Sequence, residues 1–567
     1  MKKIQERKME TFDLGTIRTQ IIGNDLVFKT PFGERNILYA DYTASGRGMI
    51  LIEEKLQNIL RSYANTHTED DYSGKYLTQL FHQALKRIKE LVNAGEKGKI
   101  ISVGSGSTGA LKKLQEILGV YIPPATKKRI FQSIDRPGKS CEEDIQARIE
   151  SERPVVFIGP YEHHTNELMW REAFVEVVVI GLDSQGRIDQ TELAHKISDK
   201  KFRNRFKMAS FSAGSNITGI RTEVYKIAKI CHDNDSLIFF DFAAVAPYVE
   251  IDMNKDDDIY FDAIFFSPHK FLGGPGSSGI LVFREGLYRN DLPPTTAGGG
   301  TVDYVGFHVH DYSKDIETRE MAGTPPILQT IKAALAMDLK EKIGVSRIER
   351  IEAEYTKDFL SRLKRMPNIE MVGRVDPEEK IPIISFNIRH LDRILHPKFV
   401  TKLLNDLFGI QSRAGCSCAG PYGHLLLEIG DELSAKYRAV IQQGLLGLKP
   451  GWVRINIHYT FSKEDVDFLA RAINFVATHG HLFLFQYLFD IHTGEWKHKE
   501  FQEYETDFSI ENSFETKRAD LSRIEEIRES YFQKAEKVAM DLKKAKASSF
   551  IQDEAEIEAL KSFYYCS

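Results

Sequence analysis

Phe265-Phe266-Ser267-Pro268-His269-Lys270-Phe271-Leu272-Gly273-Gly274-Pro275-Gly276-Ser277-Ser278-Gly279, followed by Ile280-Leu281-Val282-Phe283, is the stretch on which the fold turns. Its two short apolar runs, rich in Phe, Ile and Val, read as buried strands. Between them lie one lysine and a turn crowded with Gly and Pro, where backbone can approach a ligand closely because Gly lacks a Cβ. A lysine at a strand end beside apolar walls loses hydration, its ammonium pKa falls, and it becomes a nucleophile toward carbonyls. The competing reading of Lys270 alone is a solvated surface residue, so its neighbours along the chain decide.

Upstream, Lys99–Val103 reads as a strand running into Gly104-Ser105-Gly106-Ser107-Thr108-Gly109 and a helix with Leu111, Leu114, Ile117 and Leu118 inward. Strand, Gly/Ser/Thr loop and helix N-terminus make an anion site, or else a plain βα turn. The spacing is neither that of a Walker loop nor of the dinucleotide fingerprint, which favours a lone phosphate. Val155–Gly159 is a further strand ending in Tyr161-Glu162-His163-His164; an imidazole there stacks on an aromatic ring or is structural. Val175–Ile180 and Lys207–Ser212 follow, the latter leading into Asn216-Ile217-Thr218-Gly219 and a helix that buries Cys231. Leu237–Asp241 ends in a carboxylate that needs a partner, since an unpaired buried charge is very costly. A protonated pyridine nitrogen is such a partner. Strands alternating with helices at this spacing predict βαβ units and a mostly parallel sheet, with ligand groups on the loops after strands.

Composition excludes several classes. The 567 residues are 42% hydrophobic and 28% charged with a net charge of −5, as in soluble globular proteins. No basic stripe suggests nucleic acid, and no apolar run approaches the roughly 20 residues of a membrane span. Met1–Lys8 is followed by no apolar signal core, and five scattered cysteines (Cys141, Cys231, Cys416, Cys418, Cys566) suit reduced thiols, so a cytoplasmic protein is expected.

Asn216-Ile217-Thr218-Gly219, Asp241-Phe242-Ala243 and Ser267-Pro268-His269-Lys270 resemble the signature of the class V (fold type I) pyridoxal-phosphate enzymes, and among them the cysteine desulfurases. The resemblance spans roughly Leu38 to Gly480 and implies an α/β fold: a large domain with a seven-stranded, mostly parallel sheet, plus a smaller α/β domain. It implies pyridoxal 5'-phosphate as cofactor, with Lys270 as the Schiff-base lysine, Asp241 on the pyridine nitrogen and His163 stacked on the ring. Ser107, Thr108, Ser267 and His269 match phosphate ligands, and Asn216 the residue near the phenolic oxygen and the substrate carboxylate. Gly298-Gly299-Gly300-Thr301 resembles a segment reaching a neighbouring subunit's phosphate, which implies a homodimer with shared sites. Arg319 and Gly323-Thr324-Pro325 match the motif that follows.

Arg413-Ala414-Gly415-Cys416-Ser417-Cys418 aligns with the Arg-x-Gly-x-x-Cys run whose cysteine takes sulfur from the substrate, and Arg454 with the arginine that grips the α-carboxylate. Cys416 is placed to resolve a persulfide; a structural pair or a soft-metal site are the other readings, and no second Cys pair or His cluster completes a metal site. Two departures stand out. Ala244 sits where desulfurases usually place Gln or His, and Met321 replaces an acidic residue.

The domains expected are an arm (1–36), a large cofactor domain (37–335), a small domain (336–480) and an extension with an amphipathic helix (481–567). The implied function is conversion of L-cysteine to L-alanine with a persulfide on Cys418, passed to a sulfur-acceptor protein. A class V aminotransferase, or another lyase or epimerase on a different amino acid, is the alternative, and a non-catalytic cofactor-binding scaffold the second. His67 and the polar stretch Asp507–Glu515 are left without a definite role.

Overall fold

The computed structural model describes residues 13–66, 68–104, 106–134, 151–373, 376, 380–502, 517–544 and 549–566. His67, Asp507–Glu515 and residues 135–150, which follow helix Pro124–Ile134, lie outside them. The chain forms two compact units. The first holds Ser45–Ser215 and Ile220–Val345; the second holds the described residues up to Ala44, then Asn216–Gly219 and the chain from Ser346 onward.

The first unit is built on a seven-stranded sheet of β1 (Gly98–Val103), β2 (Val155–Ile158), β3 (Glu176–Val179), β4 (Lys207–Ser212), β5 (Ser236–Asp241), β6 (Ala263–Phe266) and β7 (Gly279–Arg284). Their spatial order is β1-β7-β6-β5-β4-β2-β3. Neighbours from β6 to β3 pair in parallel, and β7 runs antiparallel to both β6 and β1. The apolar runs are continuous rather than alternating because both faces are covered: every residue of Ala263–Phe266 is buried. One face packs on helix Gly106–Ile117, whose Ala110, Leu111 and Leu114 meet Ile101, Phe265, Leu281 and Phe283. That helix starts beneath β7. A Cβ on Gly279 would lie 2.1 Å from the Gly106 carbonyl oxygen, so only glycine lets the two backbones touch there.

The second unit carries an antiparallel sheet of β8 (Ile369–Met371), β9 (Ile383–His390), β10 (Arg413–Gly415) and β11 (Trp452–Asn456), ordered β8-β9-β11-β10. Leu38–Tyr39 pairs in parallel with Ile410–Gln411. The stretch to Ala44, expected with the large domain, therefore packs in this unit, because its backbone hydrogen bonds are made there.

The C-terminal extension packs in the second unit as well. Helix Ile524–Lys544 sets Phe532 against Phe408 and Phe468, with ring centroids 4.9 and 5.7 Å apart. Its Arg528 pairs with Asp465 at 2.6 Å, and the Asn36 amide donates to the Tyr531 hydroxyl at 2.9 Å. Near the chain end, Phe563 stacks edge-on against His396 and Phe489. A helix so held is a structural part of the unit. Phe532→Ala is expected to cost about 3–5 kcal/mol in urea unfolding, as deletion of a buried ring does.

Candidate functional site

In the first unit the sequence-selected residues gather at the ends of β1, β2, β5 and β6. Asp241 ends β5 and is buried; its Oδ1 accepts the Ala243 amide at 2.8 Å. Lys270 closes a 3-10 turn (Pro268–Lys270) just past β6, the parallel neighbour of β5, and its charge acts on Asp241. Burial raises the Asp241 carboxyl to about 6 against the opposing Ala243 amide and Lys270 charge.

That shift has a sign. A carboxyl raised by folding binds its proton more tightly in the folded chain. Stability is therefore greatest below the ordinary carboxylate range and falls as pH rises through about 6. Urea unfolding of the ligand-free protein is expected to show the fall, and Asp241→Asn to remove about 3 kcal/mol of it.

Beside Ser267 and His269 lies the N-terminal end of helix Gly106–Ile117. Gly106 has φ +56°, and a Cβ there would sit 2.8 Å from the Ser267 hydroxyl. Ser267 Oγ accepts the Ser107 amide at 2.8 Å, while the Ser107 hydroxyl makes no hydrogen bond among the described residues. Thr108 and Thr165 share a hydroxyl hydrogen bond of 2.8 Å. The Thr165 amide in turn donates to His163 Nδ1 at 3.2 Å, so the neutral ring of His163 carries its proton on Nε2. His269 Nδ1 lies 3.2 Å from the Ser45 hydroxyl; burial first, then the Lys270 charge, lowers its pKa to about 4. His269 is thus a neutral ring at physiological pH.

Thr301 is buried, its hydroxyl donating to the Gly298 carbonyl at 2.7 Å, and so braces its own loop. Arg319 is buried too, donating to the Leu292 carbonyl and lying over the Tyr312 ring.

The second unit brings together Asn216, Arg413, Arg454 and the cysteine loop. Arg454 on β11 is buried; it donates to the Asn216 carbonyl and to Asp41 Oδ1, both at 3.1 Å. Burial lowers its pKa, Asp41 opposes that, and the Arg413 charge lowers it further. Asn216 Nδ2 donates to the Ser417 carbonyl at 2.7 Å. Ser417 and Cys418 both adopt positive φ, +52° and +57°, a conformation that side chains other than glycine rarely take. The loop thus holds Cys418 exposed and Cys416 half-buried, both as free thiols.

A family model described as "Aminotransferase class-V" matches residues 145–469, more than half of the sequence. The chain belongs to the class-V aminotransferase family. Relatives within reach of this class-V chain include a probable cysteine desulfurase of Streptomyces coelicolor, 26% identical over 414 residues that cover 72% of this chain and 90% of the relative. Another, from Methanothermobacter thermautotrophicus, is 28% identical over 57% of this chain and 74% of its own length. Among solved structures, a cysteine desulfurase from Thermococcus onnurineus NA1 superposes with a TM-score of 0.63 at 22% identity, covering 82% of this chain and 98% of that one. One from Escherichia coli gives 0.59 at 18% identity with the same coverage. The fold is therefore the fold type I arrangement expected of the class-V family.

Several polar residues beside the selected ones escaped the sequence reading. Glu162 is buried, its carboxylate accepting from the Gly159 and Ser212 amides, the Ser212 hydroxyl and the Asn166 amide group; burial raises it to about 7. Its place before His163 at a strand end was the available signal. Asp41 and Ser45 sit in a small-residue loop whose pattern carried none. Among the described residues no group of His, Cys, Asp and Glu could hold a metal ion, and no helix is long and apolar enough to cross a membrane.

Proposed function

We propose that this chain is a pyridoxal-phosphate enzyme of the cysteine desulfurase type, converting L-cysteine to L-alanine. The observation that carries this reading is the buried Asp241 carboxylate, holding one amide and facing the charge of Lys270 on the adjacent strand's turn. The residues present fit the cofactor. Asp241 offers a carboxylate for a protonated ring nitrogen, and Gly106 lets the helix start approach the Ser267 hydroxyl, which a Cβ would crowd at 2.8 Å. The helix start with the Ser107 and Thr108 hydroxyls suits a phosphate. When bound, the cofactor supplies an electron sink for charge developing at the substrate α-carbon.

The chain's own groups do the rest. Lys270 anchors the cofactor and moves a proton at the substrate α-carbon. His163, its Nδ1 accepting the Thr165 amide, would hold the cofactor ring, and neutral His269 with Ser267 would hold its phosphate. Arg454, with Asn216 and Arg413, holds the substrate carboxylate through a planar guanidinium fork. Cys418 Sγ bonds to the substrate sulfur as the carbon–sulfur bond breaks, leaving alanine and a persulfide on the chain. A sulfur-acceptor protein then takes the outer sulfur, and an exposed Cys418 suits that hand-over. Two copies sharing their sites through Gly298–Thr301 complete the proposed assembly.

Ala244 favours a second reading, an aminotransferase or another lyase in which Cys418 is a bystander, since no side-chain donor tunes the ring at that position. An amino-acid panel decides. The protein mixed with pyridoxal 5'-phosphate is expected to turn yellow, and cysteine alone among the panel to yield alanine and sulfide. Transfer of the amino group to a keto acid, with no sulfide from cysteine, would establish the second reading instead.

A further inference from the structure

The second unit contains a charge arrangement that the proposed reaction does not account for. Arg413 on β10 and Arg454 on β11 are direct partners in antiparallel register. Like charges placed opposite each other across strands repel, and one of this pair is buried, which makes the arrangement costly without a counter-ion. Asp41 is that counter-ion for both. Its Oδ2 accepts from Arg413 Nε at 2.9 Å and its Oδ1 from Arg454 Nη2 at 3.1 Å.

Asp41 is itself rigidly set. The Ala40 amide donates to the Gln411 carbonyl at 2.9 Å and the Asn456 amide to the Ala40 carbonyl at 2.8 Å, while the Tyr42 ring stacks on His458 at 3.8 Å. The two guanidinium groups are left in different states. Arg454 is 4% exposed, has both terminal nitrogens engaged and keeps its buried Nε without an acceptor among the described residues. Arg413 is half exposed, and its terminal nitrogens make no hydrogen bond among the described residues. Two guanidinium cations and one carboxylate sum to a single positive charge, presented on the open edge of Arg413.

We propose that Asp41 is a positioning residue that determines specificity: by bridging Arg413 and Arg454 it leaves one net positive charge, so the cluster accepts a ligand with one carboxylate and discriminates against one with two. This rests on the reading of these arginines as the substrate-carboxylate site. A second carboxylate on the ligand would enter a cluster already neutralised by the first, with Asp41 repelling it.

The test compares wild-type and Asp41→Asn holoenzyme, with propionate and succinate as competitors of cysteine turnover. In the wild type propionate is expected to inhibit more strongly. In Asp41→Asn the cluster carries two positive charges, and the ratio of inhibition constants is expected to move toward succinate by about tenfold. An unchanged propionate-to-succinate ratio overturns the proposal.

A second readout needs no turnover: the thermal midpoint of the full chain in each carboxylate, for wild type and for Arg413→Gln, which leaves the cluster neutral. Propionate is expected to raise the wild-type midpoint and to lose that effect in Arg413→Gln. Equal shifts in both proteins, or none in the wild type, overturn the proposal even if desulfuration is confirmed. Carboxylate shifts without turnover of any amino acid would leave the Asp41 assignment standing and remove the desulfurase reading.

Discussion

Lys270→Ala is expected to lower amino-acid turnover by at least about 10³-fold, the upper part of the range for loss of a positioned acid–base group. It should also abolish the yellow absorption on addition of pyridoxal 5'-phosphate. The physical reason lies in two adjacent strands. β5 delivers Asp241 and β6 delivers the Pro268–Lys270 turn, and their parallel pairing sets Asp241 opposite Phe265. No other lysine is carried by that turn. Its removal takes away the amine while leaving the carboxylate and the helix end in place, so the protein should fold and still bind the cofactor non-covalently. A yellow band of wild-type strength in Lys270→Ala would mean that another amine carries the cofactor.

Cys418→Ala is the second large effect. Sulfide and alanine production from cysteine should fall by about 10³-fold or more, because the group that receives the sulfur is gone. Spectral changes on mixing with cysteine should persist, since Lys270, Asp241 and Arg454 are untouched. Cys418 is exposed in a loop held at positive φ and tied to Asn216 through the Ser417 carbonyl. The side chain itself bears little of the fold, and Cys418→Ala should unfold in urea near the wild-type midpoint. Full alanine yield from Cys418→Ala would instead remove Cys418 from the transfer of sulfur. The same assay on Cys416→Ala reports whether the half-buried neighbour takes part.

The sheet was readable in advance because parallel strands buried on both faces leave uninterrupted apolar runs. Val155–Ile158, Lys207–Ser212, Ser236–Asp241 and Ala263–Phe266 all fall where those runs predict. Asp241 and Lys270 were readable for a related reason: each is a charge at the edge of a run that otherwise excludes charge. The antiparallel insertion of β7 between β1 and β6 was not, since period and composition say nothing about strand direction. Nor was the assignment of Leu38–Ala44 to the second unit, which depends on a parallel pairing with residues more than 370 positions away. In the amphipathic tail helix, the buried face takes in Tyr531, Phe532 and Ala535 but also Arg528, whose charge is matched by Asp465.

What local pattern decides in this chain is therefore the sheet and the charged residues at its edge, because strand burial and turn chemistry are written over a few consecutive residues; Arg413, Arg454 and Cys418 were singled out by resemblance to the desulfurase motif. What the tertiary structure alone decides is partnership. That Asp41 bridges Arg413 and Arg454 and that Asn216 tethers the cysteine loop follow from hydrogen bonds closed across long separations. Such bonds depend on how strands are registered and oriented in space, and no period along the sequence encodes that.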